Sequence, residues 1–140
     1  MKEVGIINRN IAAAISKQGH QDLLMVTDAG FAIPDGIEVI DISLGVNKPL
    51  VPEVLSELKK YFSVEKMIMA RQTREVSPSL FDKISKAFGD KMEVEVIDHS
   101  ELKKLSRDVK TVIRTGDFTA YGNVILVSGA GDRWKVEKSD

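Results

Sequence analysis

The chain has 140 residues, with 20 Lys and Arg against 21 Asp and Glu; that length suits one domain with its own core, and the balanced charge gives no field to draw it to nucleic acid or anionic lipid. It contains no cysteine, which excludes disulfides, thiolate metal sites and a Cys nucleophile and fits a reducing compartment. Its only histidines, His20 and His99, are too few for a His-rich metal site, its apolar runs are too short to span a bilayer, and Asn8-Arg9-Asn10 interrupts any signal-peptide core, so the chain reads as a cytoplasmic protein with no membrane segment.

Asn10 is expected to cap a short helix from Ile11 to about Lys17, its side-chain oxygen accepting a free first-turn amide, and Gly19 to supply the left-handed residue that ends it. Leu23 to Val26 is a short apolar run stopping at Thr27-Asp28-Ala29-Gly30, the pattern of a buried strand ending in a polar turn. Pro34-Asp35-Gly36 predicts a further turn before a strand from Ile37 to Ile42. Pro52 suits the first turn of a helix whose Val54, Leu55, Leu58, Tyr61 and Phe62 share one face. Val64 to Ala70 reads as a strand. Ser77-Pro78 opens a helix with Leu80, Phe81, Ile84, Ala87 and Phe88 as its buried stripe, closed by Gly89. Met92 to Ile97 alternates as a strand, and Asp98 or Ser100 caps a helix to about Leu105. Thr111 to Arg114 and Asn123 to Val127 supply two closing strands. Strands alternating with helices predict a three-layer α/β/α domain with a largely parallel sheet, in which ligands gather at the carboxyl ends of strands. No repeat or linker marks a domain boundary, so residues 1–140 read as one domain, with 130–140 a polar C-terminal tail.

Several residues can carry chemistry, each beside a plainer role. Asp28 falls at the carboxyl end of the first strand, where it can meet a ligand or simply bond the backbone of its own turn. His20 lies near Asp22 and Asp28, either of which can fix its tautomer and raise its basicity, or it can cap the preceding helix. His99 and Lys103 are one turn apart at a helix start, so they share a face that suits an electron-rich oxygen or is merely solvated. The stretch from Arg114 to Asn123, with Tyr121, offers hydroxyls, an amide and aromatics of the kind a polyhydroxylated ligand needs; it can also be a long turn anchored by its rings. Gly129-Ala130-Gly131 lacks the third glycine and following helix of a dinucleotide site, and no phosphate-binding loop, serine elbow or paired metal-ligand histidines occur, so no cofactor or metal is expected.

Asn8, Gly19-His20-Gln21-Asp22, Asp28-Ala29-Gly30-Phe31-Ala32-Ile33-Pro34, Ile40-Asp41 and the run from Val112 to Asn123, taken in order, closely resemble the D-ribose pyranase family, the RbsD group, related to L-fucose mutarotase. The resemblance runs from Met1 to about Gly129. It implies an enzyme interconverting pyranose and furanose rings of D-ribose without a cofactor, with sites between neighbouring subunits of a homo-oligomer, pentamers stacked into a decamer. It also implies His20 as the catalytic histidine, with Asp28, His99, Lys103, Tyr121 and Asn123 binding the sugar. Ala32, Ala120 and Gly122 depart from the family's usual residues, and the tail after Gly129 extends past its usual end. A non-catalytic sugar-binding accessory protein and a mutarotase for another sugar such as L-fucose are the alternatives.

Overall fold

The computed structural model describes residues 1–138. Six strands form one sheet in the order β2-β5-β1-β6-β3-β4: β1 (Leu23–Thr27), β2 (Glu38–Asp41), β3 (Val64–Ala70), β4 (Glu93–Ile97), β5 (Thr111–Arg114) and β6 (Val124–Ser128). The pairs β1/β5, β2/β5 and β3/β4 are parallel, and β6 runs antiparallel between β1 and β3. The largely parallel sheet is therefore observed, with one reversed central strand. Its consequence is geometric: the end at which β1 to β5 finish is also the end at which β6 begins.

Side chains alternate across the sheet, and the helices bury what each face presents. Leu24 and Val26 of β1 enter a core with Ile11 and Ala14 of α1 (Arg9–Lys17), Val54, Leu55 and Leu58 of α2 (Val51–Tyr61), and Leu80 and Ile84 of α4 (Pro78–Ser85). Met25, between them in β1, faces the other core with Leu102 of α5 (His99–Leu105) and Val109. Helices on both faces make the three layers expected. In β3 the alternation slips: Val64 and Met67, three apart, face the same core. The ladder explains this, because Val64 pairs with Ser128 while Lys66 pairs with the adjacent Val127, leaving Glu65 as the extra residue of a β-bulge.

Local corrections have physical reasons. Asn8, not Asn10, caps α1, its Oδ1 accepting from the amides of Asn10 and Ile11; Asn10 is itself one of the free first-turn donors. The left-handed residue before β1 is Gln21, at φ 67°, rather than Gly19, and its amide donates to the carbonyl of Ser128 at the end of β6. A helix the sequence pattern does not announce, α3 (Arg71–Val76), follows β3 directly; only Thr73 of it is buried, so it has no apolar stripe to read. In the tail, the Trp134 indole donates to Ser63 Oγ at 3.1 Å, folding the segment back towards the start of β3, while residues 139 and 140 of the expected tail lie outside the described residues. No helix among the described residues is long and apolar enough to cross a membrane.

Candidate active site

At the end of the sheet where β1, β3 and β4 finish and β6 begins, Asp28, Gly30, Phe31, Ala32, His99, Lys103, Tyr121 and Asn123 line a cleft of about 280 Å³, close to the ~300 Å³ at which small-molecule sites begin. Five of the six residues singled out in the sequence meet there. They come from three places in the chain, because parallel strands deliver their following loops to a common edge.

Asp28 is 8% exposed and heavily engaged. Its carboxylate accepts from the Gly30 amide at 3.0 Å and the Gly122 amide at 3.1 Å, while its own amide donates to Asn123 Oδ1 at 2.9 Å. The plainer reading of Asp28, bonding its own turn, is thus observed, extended into a two-way clasp between the end of β1 and the start of β6. Burial raises its pKa above the usual carboxylate value, opposed by the amides of Gly30, Gly122 and Phe31. With Asn123 Oδ1 occupied by Asp28, the side-chain NH₂ of Asn123 is the group left to meet a ligand.

His99 begins α5. Its ring is held edge-on by Tyr121 at a centroid distance of 5.0 Å and by Phe31 at 6.2 Å, contacts that favour the ring quadrupoles. Its Nδ1 is buried without a hydrogen-bond partner among the described residues, which leaves Nε2 as the nitrogen able to meet a ligand. The helix start itself is fixed from α3: Gln72 Oε1 accepts the His99 amide at 2.9 Å, and the side chains of Gln72 and Arg71 donate to the cap residue Asp98. Hydrogen bonds from Ser100, then Gln72, then the Arg71 guanidinium, hold Asp98 well below the usual carboxylate range. Lys103, one turn on, is exposed at the cleft rim, and the positive end of α5 and its ammonium both favour an electron-rich oxygen.

Tyr121 adopts φ 57°, a left-handed conformation uncommon for an aromatic residue. Its carbonyl accepts from the buried Thr73 hydroxyl at 2.6 Å, so α3 holds the ring in place from behind. Arg114 secures the other side: its guanidinium donates to the Ala29 carbonyl at 2.9 and 3.2 Å and to Asp41 at 2.9 Å. Thr73, Gln72 and Arg114 were not singled out in the sequence. For Thr73 and Gln72 no sequence signal exists, since their partners lie 48 and 27 residues away in the chain; in the sequence Arg114 reads only as part of a polar loop.

His20 stands apart from this group. It precedes β1, whereas Asp28 follows it, and five extended residues separate the two ends, about 16 Å at ~3.3 Å per residue. Neither Asp22 nor Asp28 is its partner: Asp22 accepts from the Gly19 amide at 2.7 Å and pairs with Lys110 at 2.6 Å. The carboxylate nearest His20 is that of Glu65, with Oε2 at 3.9 Å from Nε2. The His20 side chain is 64% exposed and lies in a second cleft with Ile15, Tyr61, Ser63, Gly129 and Trp134. The expectation that one chain sets His20 beside Asp28 is therefore corrected, because the strand between them carries them to opposite ends of the sheet.

The family model described as the RbsD / FucU transport protein family matches residues 1–131. The chain belongs to this family. It is 41% identical over 129 residues to a D-ribose pyranase of Clostridium perfringens, covering 92% of this chain and 98% of that one. To a D-ribose pyranase of Thermosipho africanus it is 44% identical over 129 residues, with 92% of this chain and 98% of the relative covered. Bacillus subtilis RbsD complexed with D-ribose is similar in structure, with a TM-score of 0.88 at 36% identity over 93% of this chain and 98% of that one. The fucose mutarotase of Streptococcus pneumoniae in complex with L-fucose shares the fold, with a TM-score of 0.71 at 14% identity over 89% and 94% of the two chains. Within this RbsD/FucU chain the cleft, His20 and Glu65 all lie inside the matched span, while Trp134 lies beyond it.

Proposed function

We propose that the protein is a D-ribose pyranase, interconverting the pyranose and furanose forms of D-ribose by acid/base ring opening and reclosure. The observation that carries this reading is the convergence of Asp28, His99, Lys103, Tyr121 and Asn123 on one cleft in a chain of this family. A pyranose opens when its ring oxygen gains a proton and its anomeric hydroxyl loses one; closure by a different hydroxyl yields the furanose. Only protons move, so a group titrating near neutrality suffices, and an imidazole with an unperturbed pKa of about 6.5 is suited to it. General acid/base catalysis of this kind supplies roughly 10²- to 10⁴-fold.

On this reading the residues take distinct roles. Tyr121 and the Asn123 amide hold sugar hydroxyls, His99 Nε2 and Lys103 polarise an oxygen, and Asp28 acts mainly by shaping the pocket that holds them. His20 is the proton donor, and it reaches the sugar from a neighbouring copy of the chain in a homo-oligomer, a pentameric ring paired into a decamer. Two features support assembly: His20 is exposed and distant from the cleft of its own chain, and the side chains of Leu44, Val46 and Phe118 are exposed and apolar, on loops joined by the bond from the Phe118 amide to Asn47, with Phe118 near Asp28 and Gly30 of the cleft. A second reading, a sugar-binding protein without catalysis, draws on the same separation of His20 within one chain.

Subunit complementation tests both. His20→Ala and Tyr121→Ala variants should each lose ring interconversion, measured by magnetisation-transfer NMR on equilibrated D-ribose. Co-assembled in equal amounts, they should recover about a quarter of wild-type activity, because a random interface pairs an intact His20 with an intact cleft in one arrangement of four. No recovery would refute the shared site, and unchanged exchange rates with wild-type protein would favour the binder. Repeating the assay with L-fucose and D-galactose identifies the preferred sugar.

A further inference from the structure

We infer that Glu65 is the positioning residue of His20, holding one ring nitrogen so that the other is presented to the sugar; this rests on the catalytic reading of His20 given above. Three independent features of the fold aim this carboxylate. Glu65 is the extra residue of the β3 bulge, between Val64 paired with Ser128 and Lys66 paired with Val127, and such bulges redirect a side chain that regular pleating would send elsewhere. Its Oε2 lies 3.9 Å from His20 Nε2. Its side chain also lies over Gly129, where an added Cβ would fall 2.4 Å from the Glu65 Cδ and Oε2 and 2.6 Å from its Cγ. Only a glycine leaves room for the carboxylate in this position.

The backbone that carries His20 is fixed to the same strand end. The amide of Gln21 donates to the Ser128 carbonyl at 2.7 Å, and the Ser128 amide donates to the Asp22 carbonyl at 2.9 Å, so the residues directly after His20 are tied to the last residue of β6. One strand end therefore anchors both members of the pair. The other charged groups nearby are already engaged: Asp22 with Lys110 and Lys66 with Glu95, with Glu93 lining the neighbouring surface. A pair with a 64% exposed histidine adds little to stability, so stability does not account for a bulge and a glycine arranged around it. Orientation of a proton-transferring imidazole does, since a carboxylate on one nitrogen selects the tautomer and raises the basicity of the other.

The test compares Glu65→Gln, Glu65→Asp, Gly129→Ala and His20→Ala in the assembled protein, by ring-exchange kinetics that separate kcat from KM. Glu65→Gln should lower kcat roughly 10-fold or more with KM changed by less than about two-fold, the signature of an interaction used in the transition state rather than in binding. Glu65→Asp, which keeps the carboxylate, should restore kcat in part. Gly129→Ala, which keeps the carboxylate but pushes it aside, should lower kcat in the same direction as Glu65→Gln. Wild-type kcat in Glu65→Gln, with His20→Ala inactive, would overturn the assignment while leaving the catalytic reading intact. Full activity in His20→Ala would instead overturn the catalytic reading, and the inference with it.

Discussion

Replacing Asp28 with alanine separates its role as an internal clasp from that of a direct sugar ligand. The carboxylate accepts two backbone amides, from Gly30 at 3.0 Å and Gly122 at 3.1 Å, and hydrogen bonds to a charged group are worth about 1.5–3 kcal/mol each. Part of that gain offsets the burial that raises its pKa, so Asp28→Ala should lower unfolding free energy by about 2–4 kcal/mol. Urea unfolding followed by far-UV circular dichroism at matched protein concentration measures it, since the midpoint of an oligomer depends on concentration. The pH dependence carries a sign. With the folded pKa raised, the folded state holds the proton more tightly than the unfolded chain, so the contribution of Asp28 falls as pH rises through the window above 3.8. The gap between wild type and variant should therefore be wider near pH ~4 than near pH ~7. A loss below about 0.5 kcal/mol, or a gap that widens with pH, would refute the clasp.

Thr73→Val should cost about 1–2 kcal/mol by leaving the Tyr121 carbonyl without its buried donor, and should weaken D-ribose binding several-fold by calorimetry as the Tyr121 ring loses its support, whereas Thr73→Ser should keep both. Asp98 has the opposite linkage to Asp28: its pKa is depressed by Ser100, Gln72 and Arg71, so the stability it provides is complete above its unfolded value of about 3.9 and is lost as pH falls below it. The difference in urea midpoint between wild type and Asp98→Asn should accordingly shrink steadily between pH ~5 and pH ~2.

Much of this molecule can be read along the chain. The periodicity of β1, α2, β3 and α4, the cap of α5, the helix-opening prolines Pro52 and Pro78 and the alternation of helix with strand determined the layered α/β/α domain, while polar residues just past β1 and β4, the polar loop up to Asn123 and the family resemblance together pointed to Asp28, His99, Tyr121 and Asn123. These are local signals: a hydrophobic period, a cap or a turn is complete within a few residues. Strand direction is not such a signal. Only the reversal of β6 decided that Asn123 meets Asp28 at one end of the sheet while Gly129 meets Glu65 and His20 at the other. In the same way α3, lacking an apolar face, is held by its contacts with Asp98 and Tyr121, and the carboxylate nearest His20 among the described residues is that of Glu65 rather than the sequence-near Asp22 or Asp28. A bulge and the clearance over a glycine arise when two strands pair, so they belong to the packed sheet and not to either strand alone.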